Sequence, residues 1–147
     1  MNLRWRAVAV VDLRDERAVR EVPRAVRTGR VVGMLFDQGA VGLASTWVKF
    51  FGRWAKTPRG PATFALRLGV PLLFFAAIRQ PNGRYRLVVE PVSTEATGDR
   101  EADVDRIVAG YTAVLERWVR KHPEQYFWHH RRWKHQRPGT PPELGEP

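Results

Sequence analysis

The chain has 147 residues, 44% of them apolar, and a formal charge of +10. This length predicts one domain with a substantial core, and no run approaches the roughly 18–20 apolar residues of a membrane span. The absence of cysteine excludes disulfides and cysteine-based zinc sites, and the positive charge favours nucleic acid, an anionic membrane surface or an acidic protein as partner.

Trp5 to Val11 (WRAVAVV) reads as a strand. From Asp15 to Arg27, Ala18, Val19, Val22, Ala25 and Val26 recur at helical spacing, with a kink or fresh start expected at Pro23 and a stop at Gly29. Val31–Phe36 is a continuous apolar run of strand length, as expected for a strand buried on both faces. Residues 37–56 read as an irregular segment punctuated by Gly39, Gly42 and Gly52; loops of that length are usually functional. A short helix follows, with Thr57 as cap, Pro58 in the first helical position, Gly69 at the exit and Pro71 preventing continuation.

Leu72–Ile78 is a second apolar strand, and Pro81-Asn82-Gly83 turns it into an alternating strand over Arg84–Val89. After a polar loop at Ser93–Arg100, Val104, Ile107, Val108, Tyr111, Leu115, Trp118 and Val119 place one apolar stripe on a helix from Glu101 to Lys121. Pro123 ends that helix and opens a short turn through Phe127. An aromatic and basic run, Tyr126–Lys134 (YFWHHRRWK), precedes a proline-rich tail, 138–147, expected to be disordered. The predicted class is α/β, a three-layer α/β/α sandwich around a mixed sheet with strands near 5–11, 31–36, 71–79 and 84–90.

Chemistry concentrates between Val31 and Arg79. Asp37 and Gln38 follow a predicted buried strand, where α/β sheets bind ligands; Asp37 suits orienting a catalytic histidine, contacting a sugar hydroxyl or pairing an arginine, and equally suits a turn exit. Thr57, Arg59 and Gly60 open a helix whose N–H groups and dipole attract anions, although Pro58 and Pro61 each remove a donor; an ordinary capped helix has the same pattern. Phe50, Phe51 and Gly52, with Trp47 and Trp54, suit an acyl or lipid groove or an aromatic core. Arg79 ends its strand near the same edge, as a phosphate contact or a solvated strand end.

The Tyr126–Lys134 run has three readings: nucleic-acid stacking, a membrane interface with Trp128 and Trp133 at headgroup level, or a clamp docked on the domain. Only Lys49, Lys56, Lys121 and Lys134 of the 25 basic residues are lysines, an arginine bias that a GC-rich genome also produces. His122, His129, His130 and His135 lack metal-ligand spacing, so no metal site is expected. Gly-x-Ser-x-Gly and Walker-type loops are absent, and no histidine is followed five positions later by Asp or Glu.

FDQG at 36–39, VKFFGRWAKTPRGPATFALRLGVPLLFFAAIRQPNGRYRL from Val48, and HPEQYFWHHRRWK from His122 resemble the lipid A biosynthesis (lauroyl/myristoyl) acyltransferases, within the lysophospholipid acyltransferase group. The resemblance runs from about Leu13 to Arg137. It implies an enzyme on the cytoplasmic face of the bacterial inner membrane, peripheral, that moves a fatty acyl chain from acyl carrier protein, or from acyl-CoA, to a hydroxyl of a lipid A precursor or lysophospholipid. In the family a His-x4-Asp/Glu motif is the general base and its partner, acting without a covalent intermediate. This sequence lacks the motif, so the chain is expected to be the C-terminal part of the acyltransferase domain (1–137) and inactive alone.

Carried over by position, Asp37 matches a functionally required aspartate. Phe50, Phe51, Gly52, Thr57, Gly60 and Arg79 match positions around the substrate groove, where Gln38 and Arg59 also fall. Glu124, Trp128, His130, Arg131, Arg132 and Lys134 match the terminal signature. The family's arginine upstream of the Asp-Gln turn is not securely placed among Arg4, Arg6 and Arg14. The resemblance implies no cofactor and no metal, with acyl carrier protein, the lipid acceptor and an anionic membrane surface as partners and no nucleic acid. The terminal signature sets the chain apart from the mannoside-acylating branch.

Overall fold

The computed structural model describes residues 17–39 and 42–141. The chain divides into two units, Met1–Gly33 and Met34–Pro147. In the first, α1 (Ala18–Arg27) contains Pro23 and ends where the Thr28 hydroxyl donates to the carbonyls of Arg24 and Ala25 and Gly29 takes a positive φ, the exit expected from the sequence. The strand predicted at 5–11 and the arginine candidates before residue 17 lie outside the described residues.

The second unit is built around α3 (Arg100–Lys121). Its N-cap is Asp99, whose carboxylate accepts from the Glu101 and Ala102 N–H groups, and Glu101 and Asp103 place negative charge in the first turn. The stripe foreseen in the sequence is the core: Val104, Ile107, Val108 and Tyr111 are buried with Val48, Ala62, Phe74 and Val92. A second cluster gathers Phe50, Ala55 and Val119, with Trp133 and Tyr126 packed on it.

Two antiparallel hairpins pack around this helix. The first pairs β1 (Ser45–Phe50) with β2 (Arg53–Pro58), from Ser45 opposite Pro58 to Phe50 opposite Arg53. The second pairs β3 (Leu72–Arg79) with β4 (Tyr85–Val92), from Leu72 opposite Val92 to Arg79 opposite Tyr85. Between them, α2 (Gly60–Leu68) exits through Gly69 in the left-handed conformation. A 3-10 turn at Pro123–Gln125 follows α3.

Three expectations are corrected. Residues 37–56 are not irregular, because β1 and most of β2 lie there. Their turn is Phe51-Gly52, with φ of 52° and 75°, the paired positive values of a tight two-residue hairpin. The sequence hid it because a phenylalanine rarely occupies that region; here α3 holds it, the Glu116 carboxylate accepting from the Phe51 N–H at 2.7 Å. Second, Thr57 and Pro58 end β2 instead of opening α2; Arg59 is the N-cap, and a proline does stand in the first turn, at Pro61. Third, Val31–Phe36 is not a hydrogen-bonded strand: Val31 is 99% and Leu35 78% exposed. Among the described residues each sheet is a two-stranded antiparallel pair, so the class is mixed helix and strand, and neither a mixed sheet nor a strand at 31–36 is present. The tail from 138 to 141 is irregular, and the remainder lies outside the described residues.

Candidate functional site

The Asp37-Gln38-Gly39 turn is fixed from both sides. Before it, Phe36 packs edge-on against Tyr111 at 4.5 Å and Phe74 at 6.1 Å between ring centres. On the other side stands the aromatic and basic run. The Tyr126 hydroxyl donates to the Asp37 carbonyl at 3.1 Å, and the Gly39 N–H donates to His130 Nε2 at 2.6 Å. An acceptor at Nε2 requires the neutral imidazole with its proton on Nδ1. Glycine at 39 lets the ring come this close: a Cβ there would stand 3.3 Å from Nε2.

Arg132 joins the same run to β2. Only 3% exposed, its guanidinium donates through Nη1 to the Lys56 carbonyl at 2.7 Å and through Nη2 to the Thr57 hydroxyl at 2.5 Å. It also bonds the Tyr126 side chain and lies over the Phe50 ring. Burial lowers the Arg132 pKa and raises that of Tyr126, while the Asp37 carboxylate is close enough to act on both. Tyr111, pushed upward by burial, donates its hydroxyl to the Pro58 carbonyl. Asp37, Gly39, Thr57, Tyr126, His130 and Arg132, joined by hydrogen bonds that span up to 91 positions in the chain, thus form one connected cluster.

The other predicted residues divide between its margin and other surfaces. Phe50 is fully buried, stacked on Trp133 at 5.7 Å, so this ring is core. Phe51 stands edge-on to Phe50 at 4.8 Å beneath the Arg120 guanidinium, and the Gly52 carbonyl accepts from Lys49 Nζ. Gln38 is exposed. At the α2 start, Arg59 is paired with Glu101 at 2.7 Å and its N–H donates to the Ala44 carbonyl, while the space beside Gly60 is open. The Arg79 side chain is exposed, and its backbone is gripped by Gln125, which accepts from its N–H at 2.8 Å and donates to its carbonyl at 3.0 Å. Glu124, Arg131 and Lys134 are exposed; Trp128 is 48% exposed and donates to the Pro123 carbonyl.

Of the three readings of the Tyr126–Lys134 run, the docked clamp describes its geometry: Tyr126, His130 and Arg132 all reach inward to partners in the domain. Tyr126, Gln125 and Glu116 were not singled out by sequence reasoning. The first two lay inside the terminal motif, and Glu116 sits on the polar side of α3, where the sequence gives it no distinguishing mark. Among the described residues no three His, Asp or Glu side chains cluster as a metal site would require.

A folded-back terminal run that fixes an acidic turn beside a hairpin is the setting in which the comparisons fall. The family profile of the bacterial lipid A biosynthesis acyltransferases matches residues 2–135, and the chain belongs to that family. It is 30% identical over 129 residues to the lipid A biosynthesis lauroyltransferase of Escherichia coli strain K12, an alignment that takes in 86% of this chain and 41% of that protein. The chain therefore spans about two-fifths of the length of this curated relative.

Proposed function

We propose that this chain is the part of a lipid A biosynthesis-type acyltransferase that shapes the substrate groove, in an enzyme that transfers a fatty acyl chain from acyl carrier protein, or acyl-CoA, to a hydroxyl of a lipid A precursor or related lysophospholipid. The observation that carries the reading is the family match together with the cluster that fixes Asp37. A carboxylate serves acid–base chemistry only when its position is held, and Tyr126 and His130 hold the backbone that follows Asp37, at the Asp37 carbonyl and the Gly39 N–H on either side of Gln38.

In this reading Asp37 supports a general base that residues outside this sequence supply, since no His-x4-Asp/Glu stands within it. The base takes the proton of the acceptor hydroxyl, the freed oxygen attacks the thioester carbonyl, and the thiol of the donor leaves. The complete domain is a three-layer α/β/α sandwich with a mixed sheet, to which the two hairpins belong. No cofactor or metal is required. The enzyme works as a peripheral protein on the cytoplasmic face of the inner membrane, where the +10 charge suits an acidic carrier protein, lipid phosphates and anionic headgroups. Among the described residues no helix is long and apolar enough to cross a membrane.

Transfer of a radiolabelled acyl group from acyl carrier protein to a lipid A precursor tests this. The 147-residue chain alone is expected to give no turnover, and fusion to an upstream segment carrying the His-x4-acid motif is expected to restore it. Asp37→Ala in the fusion should remove most of that activity. Full turnover by the chain alone, or an active fusion indifferent to Asp37→Ala, overturns the reading.

A further inference from the structure

The outer face of the β1–β2 hairpin carries a pattern that the Asp37 cluster does not use. The buried residues of these strands alternate with Trp47 and Lys49 in β1 and with Trp54 and Lys56 in β2. Register sets Trp47 opposite Lys56 and Lys49 opposite Trp54, so each cross-strand row pairs one indole with one lysine. Lys49 Nζ lies 4.4 Å from the centre of the Trp54 ring, and the Arg137 guanidinium, brought in from beyond the terminal run, lies 4.3 Å from the same ring. Two of the four lysines in an arginine-rich chain thus stand diagonally across one hairpin face.

Charge defines what this face meets. Residues 38–89 and 125–142 contain no acid, and the fold lays part of the second segment against the first. The α3 acids that reach this region are committed: Asp105 accepts from the Thr46 hydroxyl, Glu116 accepts from the Phe51 N–H and pairs with Arg120, and Glu101 pairs with Arg59. Among the described residues no acid pairs with Lys49, Lys56 or Arg137. Two cations gathered on one indole without a counterion repel, and an anion arriving from outside relieves that repulsion. A further layer of the complete domain would have to enclose these cations, and lysines are almost never fully buried unless paired. The face therefore suits an acidic partner and does not suit a core layer.

The aromatic rings narrow the choice of partner. The Trp54 ring already carries two cations, which leaves it a poor stacking platform for a base. Neither indole is among the large exposed apolar side chains that a bilayer would take up. We propose that the outer face of β1–β2, with Lys49, Lys56 and Arg137 set by Trp47 and Trp54, is the docking surface for an acid-rich protein, the carrier that presents the acyl chain. The assignment rests on the donor reading above and gives that donor a location. Lys56 faces outward from β2 while its carbonyl accepts from Arg132, and the next residue, Thr57, turns inward to the same guanidinium. One strand then separates the docked carrier from the Asp37 cluster.

The test is association of the full 147-residue chain with acyl carrier protein, followed by carbodiimide cross-linking and peptide mapping. Carbodiimide joins carboxylates to amines and not to guanidinium groups, so only four lysines and the N-terminal amine can report. Cross-links are expected at Lys49 and Lys56. Lys49→Gln/Lys56→Gln should bind about tenfold more weakly and with a flatter salt dependence, while Arg84→Gln/Arg86→Gln on the other hairpin, an equal loss of charge, should bind within about twofold of wild type. Cross-links confined to Lys121, Lys134 or the N-terminal amine, or equal weakening by both double variants, overturn this face and leave the donor reading, which the transfer assay tests separately. No association with the carrier also overturns this face; a fusion that takes acyl-CoA and never the carrier overturns the donor reading with it. Tighter binding of phosphatidylglycerol vesicles or duplex DNA through the same two lysines replaces the acidic protein with that polyanion.

Discussion

The two hairpins have the same construction, two strands in unbroken antiparallel register, and opposite surroundings. In β1–β2 one face, with Thr46, Val48, Phe50, Ala55 and Thr57, is covered jointly by α3 and by the terminal run, which reach it through Val119 and through Trp133, Tyr126 and Arg132. Phe50, Ala55 and Thr57 there have no exposed surface. In β3–β4 only the inner rows are covered, and the outer rows remain open. A hairpin becomes part of a fixed site when a polar network ties it to distant segments, whereas one held mainly through its inner apolar rows keeps its outer rows open in this chain.

The largest effect is expected at the closed hairpin. Phe50→Ala removes a ring packed between Phe51, Tyr126 and Trp133 and should cost about 3–5 kcal/mol, read from chemical denaturation; a loss below about 1 kcal/mol would mean that the terminal run does not enclose β1–β2. Arg132→Ala leaves the Lys56 carbonyl and the Thr57 hydroxyl without their donor in the interior, at a cost of about 2–4 kcal/mol. Arg132→Lys should fail to recover it, because one ammonium cannot reproduce the fork.

The open hairpin leads into α3 through a loop anchored by Asp103, and this anchor depends on pH. Arg106, and after it the Thr97 N–H, hold the Asp103 carboxylate at about 2 against an ordinary 3.8. A depressed acid contributes stability that is complete above its ordinary value and is lost as pH falls through the folded value, so the contribution disappears between about 4 and about 2. Asp103→Asn should be less stable at neutral pH and should lose part of the acid slope in thermal melts run across that range; an unchanged slope would refute the anchor.

Smaller effects compare the turns directly. Gly52 and Gly83 have φ of 75° and 78°, with nothing within 4 Å of an added Cβ, so Gly52→Ala and Gly83→Ala should each cost about 1 kcal/mol from backbone conformation alone. A much larger loss at Gly52 would mean that the Phe51 turn is strained beyond what Glu116 holds. Smallest of all, Val89→Thr on the outer face should change stability by no more than about 0.5 kcal/mol, where the same change at buried Val88 should cost clearly more.

The sequence made β3–β4 legible because Pro81-Asn82-Gly83 is a strong turn signal and Tyr85, Leu87 and Val89 alternate with their neighbours. It did not reveal β1–β2, whose turn is held by Glu116, 65 positions away, and no local pattern reports such a contact. Asp37, Thr57, His130 and Arg132 were all singled out from residue type and motif, but their association was not visible, and Thr57 was assigned to the wrong element.

Periodicity and turn chemistry by themselves determined α1, α2's exit, α3 and the second hairpin, because each depends on residues within a turn or two along the chain; the motifs pointed to the family on the same local information. Tertiary structure alone decided that the terminal run folds inward, that an arginine is buried against β2, and that one all-apolar strand has a covered and an uncovered face. Those outcomes depend on which distant group satisfies a buried donor or covers an apolar row, and that is settled only when the segments meet.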